Sequence, residues 1–355
     1  MSFSAVLMVC DAGSRPHRPG RVALTAVEHV ANRPIVHHAL DSLRAAGAER
    51  IILAGQAAAL LKVRETFSGT LPRAEDLEYV VCGPEPMLGQ TLEAVAPLVG
   101  DSPCLVHPAD GLLDEPIGPL VELLRAELAD LVLLASSEHT VATSHSEAAG
   151  RTAIIHSARA GCESAVAGLF GPGVLSRVSE LVPSDAAADL RLAAKRLIGD
   201  GGQVALHEVH GWHRYRGHDS DLLELNRVAL DALARNGQGR EWQAQLGEDN
   251  EISSHVFIDP RATARSSVIV GPTVIGPGVT LADSYIGPYT SIGAGARIEG
   301  SEIERSIIAP DATILHIGAR LVSSLVGRNT RVFRDFSLPQ AIKLTIGDGD
   351  EIALC

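Results

Sequence analysis

The sequence predicts an α/β protein in which an open, mostly parallel sheet is followed by a left-handed parallel β-helix. Over residues 1–235, apolar runs of strand length alternate with helix-like segments, which is typical of βαβ units. A polar, glycine-bearing stretch follows at 236–255. Beyond it, aliphatic residues and glycines recur with a short fixed period, as they do in solenoids.

The chain length supports two domains rather than one. A chain of 355 residues and 37.3 kDa is too long for a single small core. We therefore expect an α/β domain over 1–235, a linker over 236–255, and a β-helix domain with a C-terminal tail over 256–355. Only 3% of the residues are aromatic, so aliphatic side chains must fill both interiors.

The first βαβ unit is predicted from its opening run. The apolar residues from Ser4 to Val9 form a buried strand, and the segments PIVHHALDSLRAAG and RIILAG form a helix and a parallel strand. The loop from Cys10 to Thr25 lies between the first strand and the helix. In Rossmann-like sheets of this kind the ligand crevice is at the carboxyl ends of the strands, so this loop should face the ligand.

The C-terminal half carries a hexapeptide-like repeat. A shift of 17 residues superimposes Ile275 on Ile292, Leu281 on Ile298 and, further on, isoleucines 286 and 303, with glycines in phase. Three sides, each with one inward aliphatic and a glycine or small residue at the corner, make one coil. Because such a prism leaves flat faces and open ends, we expect it to mediate homo-oligomer formation.

Composition excludes several classes of partner and location. The formal charge of −13 argues against nucleic acid and against an anionic membrane. The five scattered cysteines have no CxxC spacing, which favours reduced thiols in a cytoplasmic protein. We find neither a basic leader nor an apolar run long enough to span a membrane.

These features, in this order, resemble the glucose-1-phosphate thymidylyltransferase family in its long form, which carries a C-terminal left-handed β-helix. The family's phosphate loop has the form GGxGTRLRP, and this chain keeps Gly13, Ser14 and Arg15 of it. The resemblance implies that Asp11, Gly13, Ser14 and Arg15 lie at the phosphates of a nucleotide. Arg15 is then the candidate catalytic residue.

The same loop departs from the family pattern in charge. The leading glycines correspond to Cys10 and Asp11, the second arginine to His17, and the following lysine to Thr25. A carboxylate about 4 Å from a phosphate charge costs on the order of 4 kcal/mol at an effective dielectric near 20. Arg15 alone does not offset that penalty, so ordinary triphosphate binding should be impaired.

The predicted metal and sugar contacts are also altered. In the family, an aspartate after a buried strand binds Mg²⁺, and Asp110 takes that position here, although an Asp followed by Gly also makes a simple turn. The motif GYWKDTG corresponds to GWHRYRG, so the second metal ligand falls on Tyr215. Mg²⁺ needs oxygens from both positions. In the family, an acidic segment contacts the sugar hydroxyls. Asp189 is the residue of this chain that matches one of its acids.

A histidine cluster gives an alternative site. His207, His210, His213 and His218 lie close together in the sequence, and imidazole is a common zinc ligand. Their spacing is not that of HExxH. Surface or packed histidines are the favoured interpretation.

We therefore expect a catalytically impaired relative, a pseudoenzyme that acts as a ligand-binding, regulatory or scaffold subunit in sugar-nucleotide metabolism. It could form a hetero-oligomer with an active relative. The alternative is an active enzyme that joins a sugar 1-phosphate or cyclitol phosphate to a nucleoside triphosphate with Mg²⁺ and releases pyrophosphate. A third hypothesis is a rebuilt crevice in which Cys10, Asp11, His17, His107 or Asp110 serves as acid, base or nucleophile.

Overall fold

The structure is a computed structural model of the 355-residue chain. It describes residues 3–9, 24–67, 76–83, 88–126, 129–136, 152–155, 165–183, 190–209, 211–235, 246 and 249–334.

The N-terminal part alternates strands and helices, as predicted. Its strands are β1 (Phe3–Val9), β2 (His29–Val30), β3 (Arg33–Pro34), β4 (Ala48–Gly55), β5 (Leu77–Val81), β6 (Cys104–Pro108), β7 (Gly111–Leu113), β8 (Leu131–Ser136), β9 (Thr152–Ile155), β10 (Ala165–Phe170), β11 (Val204–Val209) and β12 (Trp212–Arg214). Its helices are α1 (Ile35–Ala45), α2 (Ala57–Thr66), α3 (Leu88–Val99), α4 (Ile117–Ala126), α5 (Val174–Leu181), α6 (Leu190–Gly199) and α7 (Asp219–Arg235), with a 3-10 turn at Thr25–Val27.

Eight of these strands form one sheet in the order β5-β4-β1-β6-β10-β8-β11-β9. The pairs β1–β4, β1–β6, β4–β5 and β8–β11 are parallel. β10 runs antiparallel to both of its neighbours, and β9 runs antiparallel to β11. The mostly parallel α/β sheet predicted from the sequence is confirmed.

Both faces of the sheet are covered, which explains why its strands are mostly apolar. In β1, Ala5 and Leu7 lie in the core that includes α1, α2 and α7, while Val6 lies in the core that includes α3, α5 and α6. Successive side chains of a strand point to opposite faces. A strand buried on both faces therefore carries apolar side chains on both of them, and in β1 the one polar residue, Ser4, is buried with the rest.

The C-terminal part is a prism of short strands, and the β-helix prediction is confirmed. The strands are β13 (Glu251–Ile252), β14 (Val256–Ile258), β15 (Thr263–Arg265), β16 (Val268–Ile269), β17 (Thr273–Ile275), β18 (Thr280–Ala282), β19 (Tyr285–Ile286), β20 (Thr290–Ile292), β21 (Arg297–Glu299), β22 (Glu302–Glu304), β23 (Ile307–Ile308), β24 (Thr313–Leu315), β25 (Leu321–Val322), β26 (Leu325–Val326) and β27 (Arg331–Phe333). They form three parallel five-stranded sheets.

The register of the prism matches the repeat read from the sequence. Ile275 pairs with Ile292, and Leu281 pairs with Ile298. These aliphatic side chains form a buried column along the axis. Several left-handed corner positions carry residues larger than the glycine or small residue expected there, such as Asp283 and Arg305, both with φ 49°. Polar side chains therefore occupy turns where glycine has the least strain.

The first strand of the prism, β13, begins at Glu251, before residue 255, where the predicted linker ends. Glu251 and Ile252 pair in parallel with Val268 and Ile269, so these two residues already belong to the first coil. The division into domains at 235 and 255 stays a prediction.

A hydrogen-bonded asparagine joins the two parts. Asn226 of α7 is 1% exposed. Its Oδ1 accepts hydrogen bonds from the Ala31 amide (2.8 Å) and from Ser291 Oγ (2.6 Å), and its Nδ2 donates to the Tyr289 carbonyl (3.0 Å). Nearby, Asn32 Nδ2 donates to the Ile292 carbonyl at 2.7 Å. One coil of the prism is thus tied to α7 and to the β2–β3 hairpin.

Replacing Asn226 with alanine should lower the free energy of unfolding by about 2 kcal/mol, because buried partners lose their hydrogen bonds. Urea unfolding followed by circular dichroism measures the change. Ser220→Ala, at an exposed position of the same helix, is the control and should change stability by less than about 0.5 kcal/mol. Equal effects of the two substitutions would contradict the role given to Asn226.

Candidate functional site

The candidate site lies where β1 and β6 end side by side. Met8 of β1 pairs with Pro108 of β6, so the segment after β1 and the segment after β6 leave the same edge of the sheet. Asp110 follows β6 directly and is 4% exposed. A crevice at this edge is the expected ligand site of a parallel sheet, and Asp110 lies at it.

Both oxygens of the Asp110 carboxylate are engaged by other side chains. Thr25 Oγ1 donates a hydrogen bond to Oδ2 at 2.6 Å. Arg214 Nε donates to Oδ1 at 2.8 Å, which also makes this contact an ion pair. The carboxylate side chain is 5% exposed and that of Arg214 is 36% exposed. The pair is therefore shielded from water on the aspartate side.

A two-stranded ribbon holds Arg214 at this place. β12 pairs antiparallel with β7, so that Arg214 lies opposite Gly111. The Tyr215 amide donates to the Asp110 carbonyl at 3.1 Å. The Trp212 indole lies so close to Gly111 that an added Cβ there would be 2.3 Å from the ring. Glycine at 111 therefore lets the ribbon close and brings Arg214 to Asp110.

His107 supports the same ribbon as a neutral residue. Its ring meets the Trp212 ring edge-on with centroids 5.5 Å apart, and its Nδ1 lies 2.5 Å from the Pro108 carbonyl. Burial lowers the pKa of His107 from 6.5 to about 4. At neutral pH it is an uncharged imidazole packed inside the protein, which fits a structural role better than that of an acid or base.

A second polar cluster surrounds Arg227 on α7. Its guanidinium bonds to Glu224 (2.7 Å), Asp231 (2.7 Å) and Asp114 (3.0 Å). Burial disfavours the charged guanidinium, but the hydrogen bonds with Glu224 and Asp114 outweigh it and raise the pKa of Arg227. His213 Nε2 lies 3.9 Å from both Asp114 Oδ2 and Glu224 Oε1. Glu224, Asp231 and Asp114 are thus all hydrogen-bonded to Arg227.

Most of the residues predicted for the site lie outside the described part of the chain. This applies to Asp11, Gly13, Ser14, Arg15 and Asp189. It applies equally to Cys10, His17 and His210. Their assignment to phosphate, sugar or catalysis stays a prediction.

The histidines singled out in the sequence do not share one strand. His207 is on β11 of the large sheet, and His213 is on β12 of the ribbon. His207 is 5% exposed. Among the described residues, no group of three or more His, Cys, Asp or Glu side chains is arranged to hold a metal ion.

The described residues around Asp110 do not fit Mg²⁺. Magnesium needs carboxylate oxygens that are open to it in an octahedral arrangement, whereas both Asp110 oxygens carry donors. A guanidinium about 4 Å from a divalent ion would also repel it by several kcal/mol at an effective dielectric near 20. Tyr215, at the position of the family's second metal ligand, packs its side chain against the core of the sheet.

The sequence did not identify Arg214 as a site residue. It singled out Thr25 only because the resembled pattern has a lysine at that position. The local signal for Arg214 was a pair of three-residue segments, GLL and WHR, which form the ribbon. A three-residue strand is too short to recognise by its periodicity. The meeting of Thr25 and Arg214 at Asp110 depends on contacts 85 and 104 residues apart in the sequence.

Comparison with characterised proteins gives full-length similarity to two nucleotidyltransferases. A glucose-1-phosphate thymidylyltransferase of Streptomyces antibioticus is 26% identical over 99% of this chain and 99% of its own length. The low-salt glycan biosynthesis nucleotidyltransferase of Haloferax volcanii is 25% identical over 99% of this chain and 100% of its own. A glucose-1-phosphate thymidylyltransferase of Streptomyces griseus is 32% identical over 51% of this chain and 49% of its own.

Solved structures agree on the fold. A UDP-glucose pyrophosphorylase from Acinetobacter baumannii superimposes with a TM-score of 0.51 at 15% identity, covering 67% of this chain and 95% of that one. A UTP-bound form of the enzyme from that organism gives 0.51 at 16% identity over the same shares. No family model matches the chain. Among the helices that the structure describes, none is long and apolar enough to cross a membrane.

Proposed function

We propose that this chain, a member of the glucose-1-phosphate thymidylyltransferase family, binds a nucleotide or a sugar phosphate but is impaired in transferring the nucleotidyl group. Sugar-phosphate nucleotidyltransferase ancestry is supported by relatives that align over its whole length. The observation that carries the proposed impairment is the Asp110 carboxylate, whose two oxygens are held by Thr25 and Arg214. Its role is then ligand binding, regulation or scaffolding in sugar-nucleotide metabolism.

The physical reason is the charge that the reaction develops. Attack on the α-phosphorus of a nucleoside triphosphate needs neutralisation of the phosphate oxygens by metal and cationic groups. In this chain the loop loses a lysine at Thr25 and gains an acid at Asp11. The aspartate that would hold Mg²⁺ is bound to an arginine. Fewer groups are left to stabilise the transition state than the reaction requires.

Two assays on the purified protein test this proposal. Thermal unfolding with nucleoside triphosphates and hexose 1-phosphates should show stabilisation by at least one of them. Release of pyrophosphate from the same mixtures with Mg²⁺ should stay at the level of the blank. Mg²⁺-dependent release well above the blank would contradict the impairment, and the absence of any stabilisation would contradict the ligand binding.

Active synthesis of a sugar nucleotide with Mg²⁺ is the second candidate. It is favoured by the 26% identity over the full length to a protein named for that activity. The pyrophosphate assay separates the two candidates, because only the active enzyme turns over.

We also propose that the protein assembles through the β-helix, with itself or with an active relative. Large apolar side chains are exposed on it, with Ile252 at 42%, Val322 at 48% and Phe333 at 55%. Light scattering should give a mass above that of one chain, and Val322→Asp should lower it. A mass of one chain for the unaltered protein, alone and with an active relative added, would exclude this assembly.

A further inference from the structure

Asp110, just after β6, is paired with a cation that belongs to the same chain, the Arg214 guanidinium. Asp110 is 4% exposed, and within the part of the chain that the structure describes it forms an ion pair with Arg214, at 2.8 Å. A carboxylate buried to this degree requires an opposite charge or full hydrogen bonding. Here it has both, since Thr25 Oγ1 satisfies the second oxygen at 2.6 Å.

The arginine is held in place rather than free to swing away. Its strand is hydrogen-bonded to β7 in fixed register, and the following amide donates to the Asp110 carbonyl at 3.1 Å. The indole of Trp212, two residues earlier, is 4% exposed and lies over Gly111. Anchors on both sides of Arg214 therefore fix the backbone position from which its guanidinium reaches the carboxylate.

We propose that the Arg214 guanidinium is a built-in cation that takes the place of a divalent metal ion at Asp110, so that phosphate-bearing ligands bind in this crevice without metal. The ligand part of this inference rests on the proposed function. The metal part rests on the Asp110–Arg214–Thr25 contacts alone. A divalent ion binds at Asp110 only when Arg214 has been removed.

The charge arithmetic gives the direction of the effect. With Arg214 present, its charge offsets that of the aspartate, so a divalent cation is not favoured at Asp110, and the guanidinium, 36% exposed against 5% for the carboxylate, is the member of the pair that a phosphate can reach. In Arg214→Gln, Oδ1 loses its charged donor and no cation of the chain competes for it, so the affinity for a divalent ion should rise at least about tenfold. Arg214→Lys keeps the positive charge and should not gain the ion.

Titration with Mn²⁺, followed by electron paramagnetic resonance of the free ion, tests the metal part. Wild type and Arg214→Lys should show no site that depends on Asp110, whereas Arg214→Gln should bind one ion per chain and lose it in the double variant with Asp110→Asn. Arg196→Gln, at an exposed position of α6, is the control for the loss of one positive charge. A wild-type site abolished by Asp110→Asn, or no gain in a folded Arg214→Gln, would overturn the inference.

Thermal unfolding with inorganic pyrophosphate tests the ligand part. The stabilisation by pyrophosphate should be the same with Mg²⁺ and with EDTA in wild type. A stabilisation that requires Mg²⁺ would overturn metal-free binding. Failure of pyrophosphate and of all nucleotides to bind would overturn both this part and the ligand binding of the proposed function, while the Mn²⁺ result would still decide the metal part.

Discussion

Replacing Arg214 with methionine should lower the free energy of unfolding by about 3 kcal/mol at neutral pH. The substitution leaves the Asp110 carboxylate, 5% exposed, without its opposite charge. Only the hydrogen bond from Thr25 then remains of the two side-chain contacts described for it. Because the arginine side chain is itself 36% exposed, we place the effect at the lower end of the range for breaking buried ion pairs.

A double-mutant cycle separates the ion pair from simple loss of packing. Asp110→Asn combined with Arg214→Met removes both charges and should recover all but about 1 kcal/mol of the loss. Chemical denaturation of the four proteins measures the cycle, with Arg196→Gln, at an exposed position of α6, as a surface control that changes stability by less than about 0.5 kcal/mol. Additive effects of the two substitutions would show that Asp110 and Arg214 do not interact as described.

Acidification from pH 7.5 to about pH 5 should destabilise the protein by about 5 kcal/mol, because three histidines are buried in the neutral form. Burial lowers the pKa of His37, His38 and His107 from 6.5 to about 4 in each case. In the unfolded chain these side chains take up protons below their ordinary pKa, whereas in the folded protein they stay neutral. Stability is therefore complete above pH 6.5 and is lost as the pH falls towards 4.

The pH profile of denaturant unfolding measures this effect. His38→Gln removes one of the titrating groups, and an amide can still donate to the Val30 carbonyl that His38 Nε2 contacts at 2.9 Å. The variant should lose less stability on acidification than wild type, by the share of one histidine. An unchanged slope between pH 6.5 and 5 would mean that His38 is protonated in the folded state.

The fold was predictable because its signals are local and repeated. The β-helix is indicated by Ile275, Leu281 and Ile286, each of which has an isoleucine 17 residues later, one coil away. The strand registers agree with that shift. The sheet was predictable because strands covered by helices on both faces form mostly apolar runs, as β1 does. The antiparallel direction of β10 and β9 was not predictable, because a short apolar run has the same sequence pattern in a parallel and in an antiparallel strand.

The site was predictable only in part. The position of Asp110 after a buried strand identified it as a crevice residue. Its partners could not be found from the sequence, since Arg214 reaches it through a ribbon of two three-residue strands. Comparison with the family motifs recognised Thr25 and Tyr215 as replacements for charged residues, but it could not show that Arg214 contacts Asp110.

The most direct test is a crystal structure of the protein grown with Mn²⁺ and a nucleoside triphosphate, with an anomalous difference map at the manganese edge. We predict no anomalous peak within about 3 Å of the Asp110 carboxylate, with Arg214 still bonded to Oδ1. Manganese coordinated by Asp110, with Arg214 displaced, would contradict the account.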